Sequence, residues 1–598
     1  MAFTFGKVTA GRVDYYTEQV ATERHDYYAG HGEAPGVWTG DFAADLGVSG
    51  QVDAEAFKAL LTGHHPQTGE KLKRWPNKVK AFDGVFAPPK SVSALWAIGT
   101  PEVRQAIAQA QAAAVHAALR YLAEHACVAR LGKQGVNAQP GTGFAIATFT
   151  HRTSREADPQ LHTHAVISNL AETPDGRRAA LDGSLLYRHA EATDAVFKAA
   201  LRAELSRLLG VGWVLRGEQW EIEGMPAGLC RRWSTRSIQV DDWMAEHGAA
   251  GGRAAQQAAY ATRKAKAEVA PHGEDLHARF QQEARDAGYL PEQILTATLH
   301  RLYPVRAGQG RPLEASRLHA VAGRDVRMRA QARRGGSVEP VEEAVIEALV
   351  GPEGLTEKAS SFGRRDVINH AARLLPHYSQ LPVATAGEAR ELLEAIADRV
   401  LRDARVIPLL DPAARTSGEV IRPRDADGRV LREVCTQTER RYSTVDLLAA
   451  EHELLQRATN RQHASVAVID PQQVKAALAT FPDLDEDQQT MVRRLASSGA
   501  GVDVVVGKAG TGKTTALRCY GEVARRGGVP MVGVAPSATA AHQLATKAGI
   551  DACTLDKLLV EVAHGHRHLP AGVVVIVDEA AMVDTRNRLA LQRLVDNA

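Results

Sequence analysis

The stretch His151-Arg-Thr-Ser-Arg-Glu-Ala-Asp-Pro-Gln-Leu-His-Thr-His-Ala-Val-Ile-Ser-Asn-Leu170 places three histidines, His151, His162 and His164, within fourteen residues. "LHTHAVISNL" (161–170) and the preceding "FAIATFTH" (144–151) read as β-strands. His162 and His164 are two apart, so in a strand both side chains leave the same face. The polar connection "RTSREADPQ" (152–160) contains Asp-Pro and can turn the chain back, which sets His151 beside the pair. Three neutral imidazoles converging in this way suit a divalent metal with coordination positions left open. The rival reading is one or two hydrogen-bonded core histidines.

Around this stretch the chain has 598 residues, enough for about three or four domains. The apolar fraction is 44 % and the formal net charge only +2, so a nucleic-acid site would have to rest on local basic patches. The five cysteines, Cys127, Cys230, Cys435, Cys519 and Cys553, have no metal-ligand spacing, and a reducing, cytoplasmic setting is expected. The N-terminus lacks a signal-peptide pattern, and no apolar run reaches the length of a membrane span.

"PEVRQAIAQAQAAAVHAALRYLAEHA" (101–126) predicts a long amphipathic helix opened by proline. "RAGQGRP" (306–312) reads as a linker. The basic run after it carries Arg324, Arg327, Arg329, Arg333 and Arg334, which suit DNA phosphates or a solvated helix equally. Helical patterns return in "VEEAVIEALV" (341–350) and "TVDLLAAEHELLQRA" (444–458), with a hairpin expected at "IRPRDADGRVLREV" (421–434). From about residue 476 helices alternate with apolar strands, an α/β pattern.

"VVVGKAGTGKTTAL" (504–517) fits a P-loop after an apolar strand, with Gly507, Gly510, Gly512, Lys513, Thr514 and Thr515 in its phosphate cradle. "VVVIVDEAAMV" (573–583) supplies the acidic pair: Asp578 for Mg²⁺ and Glu579 for the attacking water. Gln488, in "LDEDQQTMV", resembles the adenine-reading glutamine of superfamily 1 helicases, and "GVAPSATAAHQL" (533–544) resembles their next DNA-contacting motif. Nineteen residues follow Glu579. A second RecA-like domain does not fit there, so this sequence is expected to hold a truncated helicase core that binds ATP and Mg²⁺ without unwinding DNA.

Near the N-terminus, "RVDYYTEQVATERHDYY" (12–28) holds four of the chain's twelve tyrosines: Tyr15, Tyr16, Tyr27 and Tyr28. Read from spacing alone, such pairs fit half-buried aromatic packing better than nucleophiles. Together with "FDGVFAPPKSVS" (82–93) and the histidine stretch, however, the chain resembles the MobF family of conjugative relaxases, the TrwC/TraI type, over roughly residues 5–300 and again in the C-terminal third.

The resemblance implies a palm-like antiparallel sheet with helices, acting on single-stranded DNA at an origin of transfer. By motif match Tyr15 would be the nucleophile, forming a 5′-phosphotyrosine. His151, His162 and His164 would hold a divalent metal (Mg, Mn or another). Asp83 would accept the tyrosine proton or orient a metal-bound histidine. Tyr27 would serve a later strand transfer. Its spacing of 12 from Tyr15 departs from the family pattern and puts the two about 120° apart on one helix. Lys90 and Arg155 are candidate phosphate contacts or structural residues.

The expected architecture is multidomain, α+β then α/β: a relaxase domain (1–305), a basic linker (306–337), a mostly helical module (338–475) and the N-terminal part of a RecA-like P-loop domain (476–598). Expected partners are origin single-stranded DNA, accessory transfer proteins and a coupling protein. Two other readings stay open: a rolling-circle replication initiator, and a non-catalytic origin-binding remnant. The tyrosines preceding the histidine motif and the helicase-linked layout speak against the first.

Overall fold

The structure, a computed structural model, describes residues 3, 5–9, 35–72, 78–132, 137–154, 156–248, 251–262, 276–299, 339–378, 383, 385–409, 440–507 and 511–597. These fall into two compact units. The described residues of Met1–Ile346 and Arg364–Val400 form the first, and those of Glu347–Gly363, Leu401–Ala414 and Arg440–Ala598 the second.

The first unit is built on five antiparallel strands in the order β1-β3-β7-β6-β2. These are β1 (Phe5–Thr9), β2 (Val37–Thr39), β3 (Val79–Phe86), β6 (Ile146–Thr153) and β7 (Pro159–Ser168). The two central strands are the ones expected from 144–151 and 161–170. β7 shows the alternation that makes such a strand: Leu161, Thr163 and Ala165 are buried, while Gln160, His162 and His164 are half-buried. A second sheet joins β4 (Val128–Leu131), β5 (Asn137–Pro140), β8 (Ala171–Glu172) and β9 (Arg178–Leu181). A hairpin follows, β10 (Trp213–Arg216) with β11 (Gln219–Ile222).

One face of the central sheet packs on α1 (Asp41–Asp45) and α2 (Ala54–Thr62) through Trp38, Phe42, Phe57, Leu61, Phe149 and Val166. The other face is covered by α4 (Pro101–Ala126) and α5 (Gly183–Leu209). Gln111 of α4 donates to the Phe86 carbonyl and to Thr163 Oγ1, both at 3.3 Å, and Phe86 meets Phe197 of α5 at a ring separation of 5.3 Å. α4 runs between the predicted ends. Thr100 accepts a hydrogen bond from the Val103 amide and Pro101 occupies the first turn, the position where its missing N–H costs nothing. Buried alanines on both helices, among them Ala110, Ala114, Ala118, Ala195, Ala199 and Ala203, let the two backbones approach closely.

The stretch 338–475 divides between the units. α8 (Arg364–Tyr378) and most of α9 (Ala386–Arg402) belong to the first. Arg202 of α5, buried, donates to the Ala372 carbonyl at 2.8 Å, and Glu204 accepts from the Ala386 amide at 2.8 Å. Two charged side chains buried under α8 and α9 bind them to α5 by backbone groups, a recognition that no periodicity in the sequence reveals. The linker 306–337, with its five arginines, and the expected hairpin at 421–434 lie outside the described residues.

The second unit contains a small pair, β12 (Val406–Pro408) with β13 (Tyr442–Thr444), followed by α10 (Val445–Asn460). Its main sheet is parallel, β15 (Ala552–Thr554) and β16 (Val574–Val577) flanking β14 (Met531–Ala535). The strand expected at 504–506 is a correction: these residues form no ladder, and Val504 and Val506 are 82 % and 91 % exposed. An apolar run becomes a strand only when its amides and carbonyls find a neighbouring ladder, which composition alone does not supply. Among the described residues, no helix is long and apolar enough to cross a membrane.

Candidate active site

β6 and β7 pair with His151 directly opposite His162 and Phe149 opposite His164. Residues opposite one another in an antiparallel pair share a face, so all three imidazoles emerge on the side covered by α1 and α2, beyond the end of that apolar cluster. Their ring centroids form a near-equilateral triangle with sides of 5.2, 5.3 and 5.3 Å. Around one ion with metal–nitrogen bonds of about 2.0–2.1 Å, three imidazoles would have centroids about 5 Å apart.

The donor set fits a metal for a second reason. His164 Nδ1 lies 3.0 and 2.9 Å from the two oxygens of Asp83, and His162 Nδ1 lies 2.9 Å from the Gln160 carbonyl oxygen. A carboxylate and a carbonyl only accept, so both Nδ1 atoms carry the proton and both Nε2 atoms present a lone pair. Asp83 is only 8 % exposed. It sits on β3, two residues from Val85, which pairs with His164 across β7. The structure thus brings the Asp83 carboxylate to the His164 imidazole. Such outer partners hold the tautomer and raise ligand basicity.

Among the described residues, the trio whose ligand atoms all lie within 4.8 Å of one another is a different one: Glu124, His125 and Glu394. The ligand nitrogens of the three candidate histidines therefore do not all lie within 4.8 Å of one another. The Glu124 trio is already engaged. Arg390 holds Glu124 at 2.7 Å, and Glu394 accepts from Arg364 at 2.9 Å and from His125 at 2.7 Å. We read it as an ion-pair seam joining α4 to α9.

Asp83→Asn is expected to weaken divalent-metal affinity by about tenfold or more, since the amide accepts a weaker bond from Nδ1. A Mn²⁺ titration of the purified protein checks this; wild-type affinity in the variant would show that Asp83 does not support His164.

Lys90 opens α3 (Lys90–Ile98), and its ammonium donates to the Pro159 carbonyl at 2.7 Å, at the start of β7. Burial pushes its pKa down to about 8, against the raising effect of Asp158. Burial likewise pushes the Asp158 carboxyl up. Ser93 accepts from the Leu161 amide at 3.1 Å, and Ser91 accepts from the Ile222 amide at 2.8 Å. Within "PPKSVS", Lys90 and Ser93 thus hold the start of β7, and Ser91 holds the end of β11. Sequence reasoning missed Asp158, whose Asp-Pro context signalled only a turn. Tyr15, Tyr16, Tyr27, Tyr28 and Arg155 lie outside the described residues.

In the second unit, Gly512 precedes α12 (Lys513–Gly527) with φ of 73°, and a Cβ there would stand 2.4 Å from Gln488 Nε2. The left-handed φ favours glycine here, and any Cβ would also displace the end of the Gln488 side chain. Lys513 Nζ donates to the Gly507 carbonyl at 2.6 Å. Gln488, on α11 (Glu486–Ser497), completes a capping box with Asp485 and also donates to the Thr511 carbonyl at 3.1 Å, which puts it against the glycine loop. Thr514 and Thr515 lie in the first turn of α12; Gly510 is outside the described residues. Asp578 follows β16, its amide bonded to the Val534 carbonyl at 2.9 Å, and Glu579 has φ of 51°, a left-handed conformation rare for a residue with a side chain.

Residues 9–287 match the family model described as TrwC relaxase. They are a TrwC relaxase domain. Residues 483–598 match an AAA domain, so the relaxase domain is followed by a helicase-like nucleotide-binding region. The multifunctional conjugation protein TraI of Escherichia coli is 26 % identical over 390 residues, 63 % of this chain and 20 % of TraI. The conjugal transfer protein TraA of Rhizobium radiobacter is 30 % identical over 146 residues, 24 % of this chain and 13 % of TraA. The chain thus spans a fifth or less of the length of these relatives. A metal-bound structure of conjugative relaxase TrwC with oriT DNA aligns with a TM-score of 0.43 at 27 % identity, covering 48 % of this chain and 99 % of that one.

Proposed function

We infer that this chain is a conjugative relaxase, which nicks single-stranded DNA at an origin of transfer by tyrosine transesterification and carries an ATP-binding region behind the nicking domain. The observation that supports it best is the triangle of His151, His162 and His164, with His164 oriented by Asp83, inside a TrwC relaxase domain. A divalent ion held there, Mg²⁺ or Mn²⁺, would withdraw charge from the non-bridging oxygens of the scissile phosphate.

In the proposed reaction the phenolic oxygen of Tyr15 bonds to phosphorus and the bond from phosphorus to the 3′-oxygen breaks. The phenol loses its proton and the departing 3′-oxygen gains one. One phosphoester replaces another, so religation needs no ATP. Asp83 is already engaged with the His164 imidazole, which favours orientation over direct proton transfer as its role. Tyr27 is proposed for a second strand transfer.

The proposal keeps the divisions 1–305, 306–337, 338–475 and 476–598 as segments of sequence, with α8 and α9 folding onto the first. It places the protein in the cytoplasm, with accessory transfer proteins and a coupling protein as partners. At the P-loop, Gly507, Gly510, Gly512, Lys513, Thr514 and Thr515 would cradle ATP phosphates, Asp578 and Glu579 would serve Mg²⁺ and water, and Gln488 would read adenine.

The test is incubation of labelled single-stranded origin DNA with the protein and Mn²⁺ or Mg²⁺, followed by a denaturing gel. A covalent protein–DNA band supports the reading; cleavage with no covalent product contradicts it. Lys513→Ala is expected to weaken ATP binding by about tenfold or more through loss of a charge-assisted contact, while nicking is unchanged. Titration with a fluorescent ATP analogue, run beside the nicking assay, checks both halves.

A further inference from the structure

The turn between the two histidine strands is held from several sides. Within it the Ser154 amide donates to the Asp158 carbonyl at 2.9 Å, and Ala157 takes φ of 63°. A left-handed alanine persists only where its surroundings over-determine it. Those surroundings are contacts from elsewhere in the chain. The Asp158 carboxylate accepts from the Thr235 amide at 2.9 Å and from Thr235 Oγ1 at 3.0 Å, at the first residue of α6 (Thr235–Glu246). Arg279, on α7 (Leu276–Asp286), donates to the Ala157 carbonyl at 2.8 Å. Lys90 holds the Pro159 carbonyl. The next residue, Gln160, supplies the carbonyl that fixes the His162 imidazole.

α6 has no fully buried side chain. At its first residue it is tied to the turn by the two hydrogen bonds from Thr235 to Asp158. The same anchors hold the chain three to five residues before His162. An ion at the histidines and the docking of these helices act on one short stretch of main chain.

We propose that Asp158, Thr235 and Arg279 are positioning residues that couple the seating of α6 and α7 to metal affinity at His151, His162 and His164. The inference rests on the proposed metal site. By linkage the coupling is reciprocal: the ion firms the helices as much as the seated helices tighten the ion. The helices would then be docked most firmly when the site is loaded.

The experiment is hydrogen exchange followed by mass spectrometry on the full 598-residue protein, with and without saturating Mn²⁺. Slowed exchange is expected in 235–246 and 276–286 as well as in 146–168. Slowing confined to 146–168 would overturn the coupling while leaving the metal site standing; no Mn²⁺ uptake by the wild type would overturn the metal site and the coupling with it. In parallel, Thr235→Val should weaken Mn²⁺ binding, by at most about tenfold, the scale of one hydrogen bond to a charged group, and Thr235→Ser, which keeps the hydroxyl bond to Asp158, should restore it. Wild-type Mn²⁺ affinity in Thr235→Val also overturns the proposal. Should that variant not fold, the wild-type exchange experiment decides alone.

Discussion

His162→Ala combined with His164→Ala is expected to abolish divalent-metal binding and to cut nicking by about 10²-fold or more, the scale on which removing a preorganised stabiliser of developing charge acts. The two residues supply two of the three imidazoles, and their Nδ1 partners, Gln160 and Asp83, leave both Nε2 atoms for the ion. One remaining histidine offers a single ligand, too little for a closed site. The unit should stay folded. Both side chains are half-buried, whereas the apolar cluster on that face is made of Trp38, Phe42, Phe57, Phe149 and their neighbours. The stability cost is the bond from His164 to Asp83, about 1 kcal/mol. Elemental analysis and thermal melting measure the two effects. Undiminished metal content in the double variant would refute the site.

The second large effect is expected at Tyr15. Tyr15→Phe removes only the phenolic oxygen, the atom proposed to attack phosphorus, so the covalent adduct should vanish entirely while DNA binding persists. Tyr16→Phe and Tyr27→Phe should still give the first adduct. A denaturing gel of labelled origin DNA separates these outcomes. An adduct that survives in Tyr15→Phe and disappears in Tyr16→Phe or Tyr27→Phe would move the nucleophile. Alanine scanning would be a poorer test, because loss of the ring also removes packing.

What could be read directly from the chain was local. The i,i+2 spacing of His162 and His164 follows from the strand period, and a short polar connection to His151 implies an antiparallel return; β6 and β7 pair in that register. The limits of α4 follow from Thr100 and Pro101 at its start. The glycine of the P-loop is legible because the left-handed φ of 73° at Gly512 favours glycine over any residue with a Cβ. These features depend on backbone sterics and on neighbours within a few residues.

What only the tertiary structure decided depends on groups far apart in the chain. Asp83 lies 81 residues before His164, and nothing in "FDGVFAPPKSVS" says that its carboxylate meets that imidazole until β3 is laid beside β7. Lys90, which opens α3, is likewise seen to donate to the Pro159 carbonyl, 69 residues later, only once the chain is folded. The Arg202 guanidinium, a charge expected at the surface, is covered by α8 because a carbonyl 170 residues later accepts from it. At Val504–Val506 the opposite happens: an apolar run that reads as a strand has no ladder among the described residues and stays open to solvent. In each case the deciding term is the pairing of a polar or apolar group with a distant partner, and the free energy of that pairing has no signature in the spacing of residues along the chain.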